Sequence, residues 1–195
     1  MQTSAFFRQY CSDLAACLNG VAITDAVSRR IEFDIAFDSI LGSLRTAKAQ
    51  DAKLILIGNG GSAAIASHIA FDFWKRAGIR ATAFNDAVLL TASVNDFGRA
   101  NMFVEPLKRF ACSGDILIAI SSSGQSENIV NAAREGRNLG CEVVTLSAFR
   151  ADNPLRSLGD VNVYLATDAY GHAEIGHETI LHALVDCLVS DSETR

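Results

Sequence analysis

The sequence predicts a three-layer α/β/α sandwich around a central, mainly parallel five-stranded sheet, with helices ahead of it. Three observations lead there. Five short, apolar, β-rich runs follow residue 52. Helix-like stretches alternate with them, the order that a parallel sheet covered on both faces demands. The chain of 195 residues is 49% hydrophobic and holds two prolines, enough to bury one core and too little punctuation for a linker or a repeat.

Residues 1–50 form the N-terminal region, expected to be helical, with Ile31, Ile35, Phe37, Ile40, Leu41 and Leu44 at roughly helical spacing. Residues 51–195 form the α/β unit. Its first strand is LILIG (54–58), which runs through Gly58-Asn59-Gly60-Gly61-Ser62 into a helix ending near Lys75. ATAFN (81–85) is the second strand and DILIAIS (115–121) the third, followed by a helix from Ser126 to Leu139. EVVTLS (142–147) and VNVYLA (161–166) complete the sheet, and His177 to Ser190 closes the chain as a helix. Ligands of such sheets gather at the carboxyl ends of the strands, where loops lead into helix N-termini.

Composition excludes several functions. The net charge is -5 and there is no Lys/Arg cluster, so a nucleic acid is not an expected direct ligand. Five scattered cysteines, without a pair at metal-ligand spacing, read as reduced thiols of a cytoplasmic protein. The start lacks a basic segment followed by an apolar core, and no window approaches about 18 consecutive apolar residues, so neither secretion nor a membrane span is expected.

Two strand-to-helix turns suit an anion. In the first, glycines let backbone N–H groups approach an oxyanion, Ser62 can cap the helix, and the helix N-terminus adds partial positive charge. In the second, Ser121, Ser122, Ser123 and Ser126 offer neutral donors to the three oxygens of a phosphate monoester. A Walker lysine and dinucleotide glycine spacing are both missing, so no nucleotide cofactor is implied.

A strand ending in GNGGS, a later VNDFG and a strand running into ISSSGQS together resemble the sugar isomerase (SIS) domain, and within it the phosphoheptose isomerases. The resemblance covers nearly the whole chain. It implies a homotetramer that converts sedoheptulose 7-phosphate to a heptose 7-phosphate, D-glycero-D-manno-heptose 7-phosphate, with zinc, one ion per subunit. Substrate contacts implied by it fall on Asn59, Gly60, Gly61, Ser62, Asn95, Asp96, Ser121, Ser122, Ser123, Ser126 and Glu174. The implied metal ligands are His68, Asp72, Glu174 and His182, with Asp72 as base and His182 as acid. One branch of the family is instead a non-catalytic partner of a replication initiator protein, and another senses sugar phosphates; these are the alternatives to catalysis.

The residues themselves agree with a proton-transfer site. His68 and Asp72 are four apart and so share a helix face, while Glu174 and His182 are eight apart, a rotation of about 80° with Glu178 between them. Glu178 is a spare ligand, and His172 and His177 are expected at the surface or an interface. Two positions depart from the family pattern: Asp72 stands for a glutamate and Glu174 for a glutamine. Arg76 matches a basic residue of the family that helps hold phosphate.

Overall fold

The computed structural model describes residues 3–193. Helix α1 (Thr3–Asn19) leads to a hairpin of β1 (Ala22–Asp25) and β2 (Arg30–Ile31), then to α2 (Phe33–Ala49). The α/β unit follows as β3 (Lys53–Ile57), α3 (Gly61–Asp72), β4 (Arg80–Ala83), α4 (Ala87–Phe97), α5 (Val104–Phe110), β5 (Ile116–Ser121), α6 (Glu127–Asn138), β6 (Glu142–Ser147), β7 (Val161–Tyr164) and α7 (Tyr170–Glu193). No described helix is long and apolar enough to cross a membrane.

The sheet has seven strands rather than the five expected, in the order β2-β1-β7-β6-β5-β3-β4. The five expected strands are all present and pair in parallel. The two extra ones come from the N-terminal region, where β1 adds antiparallel to β7 through pairs such as Ile23 with Val163. Four residues of AITD carry too little pattern to announce a strand, and only docking on β7 makes them one.

Alternate residues of the central strands feed two cores. Leu54, Leu56, Ile116, Ile118, Val144 and Leu146 pack beneath α2, α3 and α7. Ile55, Ile57, Leu117, Ala119 and Val143 pack on the other face with Phe103, Leu107 and the Ile129–Ala133 stripe of α6. This period of two, covered on both sides, makes the sandwich three-layered.

The order of the central strands also places the site. The chain leaves β3 for the edge strand β4 and then returns across β3 to form β5, so β3 and β5 are neighbours whose connections run to opposite sides. A crevice opens at the carboxyl ends of such a pair. The glycine turn follows β3 and the serine turn follows β5, so both rim it.

Candidate active site at the ends of β3 and β5

The two turns enclose a cavity of about 260 Å³ lined by Asn59, Gly60, Gly61, Ser62, Ile120, Ser121, Ser122, Ser123, Ser126, Tyr170 and Glu174. Backbone geometry explains the glycines. A Cβ on Gly58 would lie 2.5 Å from the Ser62 backbone, and Gly60 has φ +55°. Gly60 rather than Ser62 is the N-cap of α3, so Ser62 stands within the first turn, buried, and lines the cavity. That corrects the capping role read from the sequence.

The serine turn is held from behind. Gly124 has φ +61°, its N–H donates to Ser121 O (2.9 Å), and a Cβ there would lie 1.9 Å from Asn153 Oδ1. Asn153 is buried and spends its amide on Ser147 Oγ, Ala148 O and Arg150 O. Ser121 Oγ donates to Ser126 Oγ at 3.3 Å, and Ser126 makes no side-chain cap on α6.

Asn59 does more than face the cavity. Its amide donates to Asn128 Oδ1 (3.0 Å) and accepts from Asn128 Nδ2 (2.8 Å), locking the glycine turn to buried Asn128 at the start of α6. Asn95 and Asp96 lie near the end of α4, which Gly98 terminates, and Asn95 Nδ2 donates to Asp96 Oδ1 at 2.8 Å. Both are exposed, and neither is among the residues lining the cavity.

A second group of residues lies where α3 packs on α7. Among the described residues, His68, Asp72 and His182 offer ligand atoms within 4.8 Å of one another. His182 Nδ1 is 3.5 Å from Asp72 Oδ2, and the His68 and His182 rings meet edge-on at 5.2 Å. Glu178 joins them, its Oε1 3.2 Å from His68 Nδ1 and 3.9 Å from His182 Nε2. Glu174 lies outside this group: its carboxylate rests over Gly61, where an added Cβ would come within 2.3 Å. It lines both the cavity at the two turns and another of about 380 Å³ that His68 and Glu178 also line.

Arg76 is engaged by carboxylates. A π-helical turn (Phe73–Ala77) continues α3, and Arg76 Nη2 donates to Asp186 Oδ1 at 2.6 Å while Nη1 stands 3.6 Å from Asp72 Oδ2. The Asp186 hydrogen bond, chiefly, holds the guanidinium pKa above its ordinary value. This places Arg76 as a brace on Asp72. His172 and His177, expected at the surface or an interface, are both buried, because α7 turns that face onto the sheet and onto α1.

Sequence reasoning missed Tyr170, Asn128, Asn153 and Asp186. A signal existed for two of them: Tyr170, Glu174, Glu178, His182 and Asp186 recur every four residues along one helix, so they share a slowly winding stripe. Asn128 and Asn153 act across the fold and leave no local trace.

Comparison with known proteins places this geometry. Residues 9–148 match the SIS domain family. The phosphoheptose isomerase of Geotalea uraniireducens is 34% identical over 142 residues, covering 70% of this chain and 75% of that one. The structure of phosphoheptose isomerase GmhA from Neisseria gonorrhoeae superimposes with a TM-score of 0.73 at 27% identity, covering 78% of this chain and 85% of that chain. That of a phosphoheptose isomerase from Francisella tularensis shares the fold over 98% of this chain and 100% of its own, with a TM-score of 0.82 at 22% identity. With its two anion-friendly turns and the His68–Asp72–His182 cluster joined by α7, the chain belongs to the SIS domain family and, within it, to the phosphoheptose isomerases.

Proposed function

We propose that the protein is a cytoplasmic aldose–ketose isomerase, a homotetramer that converts sedoheptulose 7-phosphate to D-glycero-D-manno-heptose 7-phosphate with one zinc ion per subunit. One observation carries the reading: α7 joins a cavity rimmed by neutral phosphate donors to a cluster of proton-carrying groups. Glu174 lines the cavity, and His182 lies eight residues on, about 12 Å along the helix axis. An open-chain sugar phosphate held at one end thus has its other end directed toward the cluster.

The phosphate monoester is bound by Ser121, Ser122, Ser123 and Ser126 together with the backbone of the glycine turn, all neutral donors aimed by a helix N-terminus. Asn59, tied to Asn128, keeps the two turns in register. At the far end the reaction moves a proton from C1 to C2 through an enediol. Asp72 takes the C1 proton and returns it to C2. His182, 3.5 Å from it, gives a proton to the C2 carbonyl oxygen and receives the one leaving the C1 hydroxyl. Arg76 holds the Asp72 carboxylate in place, which matters because aspartate is about 1.5 Å shorter than the glutamate it replaces.

Two imidazoles and a carboxylate with mutually close ligand atoms form a donor set that fits zinc with an open position. His68, Asp72 and His182 would hold it, with Glu178 orienting His68. Bound zinc supplies Lewis-acid polarisation of the sugar's carbonyl and hydroxyl oxygens.

The test is a discontinuous assay of aldose formation from sedoheptulose 7-phosphate. His182→Ala is expected to abolish turnover while leaving the fold intact by circular dichroism. Wild-type protein that forms no aldose with zinc supplied sinks the reading.

A further inference from the structure

The cavity at the two turns has an aromatic wall that phosphate binding does not require. Tyr170, the first residue of α7, lines it beside Ser121–Ser123. The residue is 64% exposed, yet its ring is propped: it meets Phe149 edge-on, with centroids 4.8 Å apart and planes at 89°. Phe149 has φ +60°, a left-handed conformation that a bulky residue keeps only where its surroundings hold it.

Those surroundings are specific. The Phe149 N–H donates to Thr167 O at 2.8 Å, and the Tyr164 hydroxyl donates to Phe149 O at 2.8 Å. The Ala148 N–H donates to Ser122 O at 2.9 Å, which anchors the strained residue to the serine turn itself. The prop and the phosphate donors therefore form one assembly.

We propose that Tyr170, propped by Phe149, selects sugar phosphates over bare phosphate, its ring covering the carbons next to the phosphate while the turns hold the phosphate. The inference rests on the sugar-phosphate reading of the same cavity. The turns present N–H and O–H groups, which satisfy oxygens and gain nothing from carbon. An aromatic ring contributes apolar surface, which the C–H edges of a polyol chain can use. Tyr170 precedes His182 by twelve residues, about 18 Å along α7, so it acts on binding and not on proton transfer.

The test compares two probes, sedoheptulose 7-phosphate and inorganic phosphate. For Tyr170→Ala, the KM for the sugar phosphate is expected to rise about three- to tenfold at unchanged kcat, while the Kd for inorganic phosphate by calorimetry stays at the wild-type value. Tyr170→Phe keeps the ring and is expected to restore the sugar-phosphate KM. Phe149→Gly relieves the left-handed strain and gives up the ring's packing on the core, so its Tm is measured alongside, and the loss of the prop is expected to raise the sugar-phosphate KM part of the way in protein that remains folded. Equal weakening for both probes, or for neither, overturns the inference while leaving the isomerase reading in place. Wild-type protein that binds neither probe overturns both.

Discussion

His177 shows how far a single residue can depart from its sequence context. Its neighbours Glu174, Glu178 and His182 face the site, but its own ring is 0% exposed. Burial pushes the imidazole from its ordinary 6.5 to about 4, against an opposing pull from the Ser147 backbone. A depressed histidine favours the unfolded state as it charges. Its contribution to stability is therefore full above pH 6.5 and is lost as pH falls toward 4, by about 3 kcal/mol. His177→Leu is expected to flatten that limb, and thermal melts from pH 4 to 7 would show it; an acid limb as steep as in wild type would assign the loss elsewhere. Asp72 belongs to the same scale. Asp72→Asn keeps the side chain's shape and removes the base, so kcat should fall about 10²- to 10⁴-fold, with inorganic phosphate binding unchanged by calorimetry.

At the scale of elements, the turns were legible because their chemistry is local. GNGGS and SSSGQS each read as a strand end, a glycine-bearing bend and a helix start, and the structure places both at one crevice. What holds the second turn was not legible. Asn153 lies 29 residues past Gly124, in a loop with no periodicity, and still fills the space where a Cβ would go. Gly124→Ala therefore meets two penalties, a left-handed φ costing about 1–2 kcal/mol and the clash with Asn153. Asn153→Ala in the same chain should recover the part of the clash made by Oδ1 and Cγ, but not the remaining approach of its own Cβ at 2.8 Å nor the φ penalty. Denaturant midpoints of the two single variants and the double variant test this, and strict additivity would refute it. The β1–β2 hairpin was hidden for a related reason, since its strands acquire their identity from β7, more than 130 residues away.

At the scale of the whole molecule, α2 offers the proposed assembly one of several exposed apolar surfaces. On α2, Phe33 is 43% and Ile35 64% exposed, although the segment FDIAF reads as apolar as a core helix. Burial against other copies of the chain accounts for that face in the proposed tetramer. Sedimentation should return a tetramer for wild type and smaller species for Ile35→Glu; an unchanged tetramer would assign the interface to another face. By itself, the sequence determined the fold class, both anion-friendly turns and the pairing of His68 with Asp72, because periods of 2 and 3.6 and the conformational demands of glycine are properties of a few adjacent residues. Only the tertiary structure decided that β3 and β5 lie side by side, that Asn59 is bound to Asn128, that Arg76 braces Asp72 from Asp186, and that His177 is buried. Each of these joins segments far apart in the chain, and such contacts depend on how packed layers dock, which local spacing does not encode.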